Sequence, residues 1–105
     1  MINVSIVYDN GSIDQITNIS PTMNIYRGKK TIAITFAYGN KVRTVDFRNT
    51  ESNVLMTNRI NEYLFNVPNF QIVVIDNIGI YVTSSDNFTN AVNEALALKG
   101  EMVNE

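Results

Sequence analysis

The chain contains no cysteine, no histidine and no tryptophan. Without cysteine there is no disulfide framework, no thiol nucleophile and no thiolate metal site. Without histidine the commonest general base near neutral pH and the commonest zinc ligand are missing, and the usual serine, cysteine and zinc hydrolase schemes go with them. Charge is also scarce. Only 17% of the residues are charged, against about 25% in a typical domain, so disorder driven by charge repulsion is not expected. Unbroken apolar stretches end at four residues, Ile72–Ile75 among them, far short of the roughly 20 that a membrane-spanning helix needs. The opening Met1-Ile2-Asn3-Val4-Ser5 has neither the basic nor the apolar segment of a signal peptide. These absences lead to the expectation of a cytoplasmic protein with no membrane partner.

What is present fits one folding unit. A chain of 105 residues is long enough for one core and too short for two, so a single domain over 1–105 is expected, with 101–105 as a frayed tail. Polarity comes from amides and hydroxyls, with 16 Asn, 9 Thr and 6 Ser. Asn and Ile, at 16 and 13 copies, have AT-rich codons. Small chains of this composition are common in phages and mobile elements of low-GC bacteria, which would place the protein in a bacterial host cytoplasm.

Hydrophobic periodicity sets the element order. Ile2, Val4, Ile6 and Tyr8 alternate with polar residues, as in a half-buried strand, and Asp9-Asn10-Gly11-Ser12 is a hairpin turn leading to a return strand over 13–19. Ser20-Pro21-Thr22 breaks that strand, and a short extended piece follows at 23–27. Thr31–Tyr38, Gly39-Asn40 and Lys41–Arg48 form the clearest hairpin. A two-residue loop there pairs Tyr38 with Lys41, Phe36 with Arg43, Ile34 with Val45 and Ile32 with Phe47. One face is then core. The other, with Thr31, Ala33, Thr35, Ala37, Val42, Thr44, Asp46 and Arg48, is made mostly of small residues and is open to a neighbour or to water.

Asn49 or Thr50 caps a helix over 51–66, with Met56, Ile60, Tyr63, Leu64 and Val67 on its apolar face and Pro68 as its stop. Residues 71–76 run apolar without alternation, as in a central strand covered on both faces. A turn at Asn77-Ile78-Gly79 leads to a partner strand over 80–83. Ser84, Ser85 or Asp86 caps a last helix over 86–99, which Gly100 ends. The expected class is α+β, a mainly antiparallel sheet built from hairpins with two helices packed on it. The order also overlaps with that of a five-stranded oligonucleotide-binding barrel.

Charge is unevenly placed. Residues 27–48 hold six of the eight basic residues and one acid, Asp46, a local charge of +5 on a chain that is −2 overall. Arg27, Lys29, Lys30, Tyr38, Lys41, Arg43 and Arg48 are therefore the candidate partner-binding residues. The expected function is a non-catalytic interaction domain of inhibitor, structural or regulatory type, binding a protein partner with an acidic surface. The alternative is a single-stranded nucleic-acid binder on the same hairpin, since cations neutralise phosphates and the interleaved Tyr26, Phe36, Tyr38 and Phe47 offer rings for stacking. Homo-oligomerisation through the small-residue face fits either role.

No catalytic, cofactor-binding or metal-binding residue is assigned. Gly28-Lys29-Lys30-Thr31 lacks the spacing and the following helix of a phosphate-binding loop. The carboxylates form no calcium-loop pattern, and Asp76 is read as a turn cap.

Overall fold

The computed structural model describes residues 2–19, 23–84 and 87–103, with Asn18 and 99–103 as backbone only. The elements follow in the order β1 (Ile2–Val7), β2 (Ile13–Ile19), β3 (Met23–Arg27), β4 (Thr31–Tyr38), β5 (Lys41–Arg48), α1 (Glu51–Asn66), β6 (Phe70–Ile75), β7 (Gly79–Thr83) and α2 (Phe88–Val103). The α+β class is as the sequence predicts, but the strands form two sheets instead of one. Sheet A has four strands in the order β2-β1-β6-β7, and sheet B has three in the order β3-β4-β5. The described strands do not close into a barrel.

Sheet A is the middle layer. Its β1 and β6 pair in parallel, Ile2 opposite Phe70 through Val7 opposite Ile75, while β2 and β7 flank them antiparallel. A parallel pair needs a long crossover, and here everything from β2 to α1 lies between the two strands. All six residues of β6 are buried, which is why its sequence runs apolar without alternation. One face of sheet A, with Ile2, Val4, Ile6, Phe70, Ile72, Val74, Ile80 and Val82, packs on sheet B and α1. The other face sends Val7, Val73 and Ile75 against Ala91, Val92 and Ala95 of α2.

Turn chemistry fixes the hairpins. At the β1–β2 turn the Gly11 N–H donates to the Tyr8 carbonyl and the Tyr8 N–H to the Ser12 carbonyl, both at 3.0 Å. Gly11 takes φ +86°, whereas Asn10 stays outside the left-handed region and uses its Oδ1 to accept from the Ser12 N–H at 2.9 Å. The β4–β5 register matches the sequence reading pair for pair, with Gly39 at φ +55°.

The helix ends depart from expectation in part. Thr50 caps α1, accepting from the Asn53 N–H, as one of the two expected residues. Asn87 caps α2, accepting from the Asn90 N–H at 3.1 Å, in place of Ser84. The other expected caps, Ser85 and Asp86, lie outside the described residues, as do the Ser20–Thr22 break and residues 104–105. The last helix does not end at Gly100 but runs to Val103, because a glycine inside a helix costs only about 1 kcal/mol relative to alanine.

Candidate functional site

The seven candidate residues all lie on sheet B or its turns, but they divide between its two ends. Tyr38, Lys41 and Arg43 stand at the β4–β5 turn. Arg27, Lys29, Lys30 and Arg48 stand at the opposite end, where Arg48 faces Thr31 across the β4–β5 ladder. Arg48 is seven residue steps along β5 from Lys41, about 23 Å at a strand's rise of roughly 3.3 Å per residue. The cations therefore do not form the single projection that their clustering in sequence suggested.

Two of the six cations also make internal contacts on the core side of sheet B, for a reason visible in the pleat. Arg43 lies opposite Phe36, so it points to the core side and emerges at the rim. There its Nη1 donates to Asp14 Oδ2 of β2 at 3.1 Å, and its Nη2 donates to the Tyr8 hydroxyl. The Tyr8 hydroxyl in turn donates to Asp14 Oδ2 at 2.9 Å. Hydrogen bonds from Tyr8 and then Arg43 hold the Asp14 carboxyl below the usual carboxylate range. Burial works against the charge of Arg43, but its bonds to Asp14 and Tyr8 outweigh that and raise its pKa. This group of three joins sheet B to sheet A.

Arg27 lies opposite Ile32 and reaches α1, donating to Thr57 Oγ1 at 3.4 Å and to Asn58 Oδ1. Lys29, Lys30, Lys41 and Arg48 are exposed. At the end that carries Lys29, Lys30 and Arg48, Asn49 fastens the β3–β4 turn, its N–H donating to the Lys30 carbonyl at 2.9 Å and its Nδ2 to the Gly28 carbonyl at 2.7 Å.

Tyr38, Lys41 and Arg43 do share one feature. With Asp14, Gln15, Ile16 and Thr17 of β2 they line an open cleft of about 400 Å³. One wall is the rim of β2 and the other is the turn end of the β4–β5 hairpin. Four consecutive β2 residues line it, and a strand face presents only alternate residues, so the cleft follows the edge of β2 and not its face. Of the four interleaved aromatics, Tyr26 alone is open for stacking. Phe36 and Phe47 are fully buried and Tyr38 is half-buried, whereas Tyr26 is 63% exposed on the outer face.

No described helix covers the outer face of sheet B. Thr31, Ala37, Val42, Thr44, Asp46 and Arg48 are exposed, and the Thr35 and Thr44 hydroxyls bond each other at 3.0 Å. No described helix is long and apolar enough to cross a membrane.

Sequence reasoning missed one organising residue, Asn53. Its side chain is buried and fully used. Nδ2 donates to the Arg48 carbonyl at 2.6 Å and to the Ile78 carbonyl at 3.0 Å, and Oδ1 accepts from the Ile80 N–H at 3.2 Å. It ties α1 to the end of β5 and to the edge of β7. Asn53, Thr57 and Ile60 form the buried row of α1, and in sequence only Ile60 stands out as apolar. Asn53 and Thr57 follow the helical spacing, which was the available signal. No family model, curated protein or solved structure matches the chain.

Proposed function

We propose that the chain is a non-catalytic interaction module that binds a protein partner with an acidic surface at the β4–β5 turn end of sheet B. The observation that supports this is the convergence of Tyr38, Lys41 and Arg43 on one open cleft. Lys41 supplies an exposed charge, Tyr38 a half-buried ring and Arg43 a guanidinium already held in place by Asp14. A cation pre-oriented by an internal bond loses less freedom on binding than a mobile one, and Tyr and Arg are favoured interface anchors. Binding there would act by steric and electrostatic occupation of the partner, in an inhibitory, structural or regulatory role.

The clean test is Lys41→Glu alone. Replacing Arg43 as well would put a carboxylate beside Asp14 and confound binding with folding. Affinity capture from the source cells, with mass spectrometry, is expected to retain an acidic protein on the wild type and lose it on Lys41→Glu, with the melting temperature unchanged. A Lys41→Glu variant that holds the same protein overturns the proposal.

Tyr26 supports the second reading, single-stranded nucleic acid. It is an exposed ring near the turn that carries Lys29 and Lys30. That reading expects a shift of a labelled oligonucleotide at about 50 mM salt, lost in Tyr26→Ala. No shift eliminates it.

A further inference from the structure

Asn10-Gly11 is the only Asn-Gly pair in the chain. The fold places it at the tip of the β1–β2 hairpin, where Asp9, Asn10, Gly11 and Ser12 are all exposed. Gly11 stands at φ +86° with open space where a Cβ would be, so no side chain crowds its peptide nitrogen. Two groups of Ser12 converge on the side chain of Asn10. The Ser12 N–H donates to Asn10 Oδ1 at 2.9 Å, and the Ser12 hydroxyl donates to the same oxygen at 2.7 Å. The first bond is the ordinary use of Asn in a turn. The second exceeds what the turn needs. It leaves a side-chain carbonyl polarised by two fixed donors, next in the chain to the nitrogen that can attack it.

We propose that Asn10 is a self-modification site, at which the Gly11 nitrogen closes on the Asn10 side chain and Ser12 holds the oxygen where charge develops. The Gly11 nitrogen gives its proton to water and bonds to Asn10 Cγ, closing a five-membered imide ring without a second reactant to bring into place. The electron pair of the carbonyl moves onto Oδ1, between the two Ser12 donors, as in an oxyanion hole. The Cγ–Nδ2 bond then breaks, and Nδ2 takes a proton from water and leaves as ammonia. A water molecule opens the ring. Attack at Cγ gives aspartate, and attack at the main-chain carbonyl gives isoaspartate. One water is consumed, one ammonia is released, and nothing is oxidised or reduced. The Gly11 N–H donates to the Tyr8 carbonyl at 3.0 Å, so attack waits on that one bond, at a surface turn where local opening costs little. The Ser12 donors take no part in it and stay on Oδ1.

Either product alters the turn. Aspartate adds a negative charge beside Asp9. Isoaspartate adds a carbon to the main chain of a turn closed by two bonds of 3.0 Å, which loosens the hairpin that brings Tyr8 to Asp14. The modification needs no partner and does not depend on the proposed function.

The experiment is a time course of the folded full chain in mildly alkaline buffer. It is read by fragmentation mass spectrometry of the tryptic peptide that ends at Arg27 and by labelling with an isoaspartate methyltransferase. The wild type is expected to exchange NH2 for OH at Asn10, as a mixture of aspartate and isoaspartate. Asn10→Gln, which would have to close a larger ring, should show no change at that position. Ser12→Ala should slow the conversion about threefold to tenfold, less than the ~100-fold that one donor is worth in a closed site. Ser12→Thr, which keeps the hydroxyl, should restore the rate. In unfolding urea the wild type and Ser12→Ala should react alike, because the two donors are assembled only by the folded turn. No conversion at Asn10 in the wild type overturns the proposal. So does a folded Ser12→Ala chain that reacts as fast as the wild type or faster, or one that is slowed equally in urea. Each of these outcomes leaves the Lys41-dependent capture untouched, so the two proposals fail separately.

Discussion

Asn53 is where one side chain carries the most structure. It is 1% exposed, and both ends of its amide are used by backbone groups of three different segments. Asn53→Ala would leave buried donors and acceptors unmatched, each costing about 1–3 kcal/mol, so a total loss of about 3 kcal/mol is expected. Urea unfolding measures it directly. Asp14 gives a different signature because it titrates. Its folded pKa is lowered, first by Tyr8 and then by Arg43. The stability this provides is present above the ordinary carboxylate value of about 4 and is lost as pH falls through the folded value. Melting temperatures of the wild type and Asp14→Asn should therefore differ at neutral pH and converge below about pH 4.

The elements differ in how far the sequence determines them. The β4–β5 hairpin could be read to the residue, because alternation around Gly39-Asn40 allows only one register that buries Ile32, Ile34, Phe36 and Phe47 together. The same register already placed Arg43 on the core side. That it would find Asp14 and Tyr8 there is a matter of how the two sheets cross, which no local pattern encodes. The seven candidate residues were close in sequence, but an eight-residue strand carried them to opposite ends of sheet B. The split into two sheets and the parallel β1–β6 pair were not legible either, since both depend on partners far apart in the chain. α2 is attached through smaller side chains than α1. It rests on a small cluster with Ala91 and Ala95 at its centre, and on a hydrogen bond from the Tyr81 hydroxyl to Glu94 Oε2. Ala91→Leu should overpack this contact and cost about 1–3 kcal/mol in thermal unfolding. Burial, and then the bond to Glu94, raise the Tyr81 pKa. A raised value stabilises the fold below the ordinary phenol value of about 10 and is lost as pH rises through the folded value. An ultraviolet phenolate titration should show one late-titrating tyrosine that is absent in Tyr81→Phe.

At the scale of the whole molecule, the parallel pairing of β1 with β6 has a bearing on synthesis. β1 has its inner partner at residues 70–75, so the central sheet cannot close until both segments and everything between them have emerged. Until then Ile2, Val4 and Ile6 have only β2 beside them, whereas sheet B can assemble from neighbouring hairpins. Local pairings form quickly and distant ones slowly. Nascent chains stalled before residue 70 would thus display a sticky, half-built sheet to chaperones and proteases, and the emergence of β6 is the step at which β1 acquires its protection.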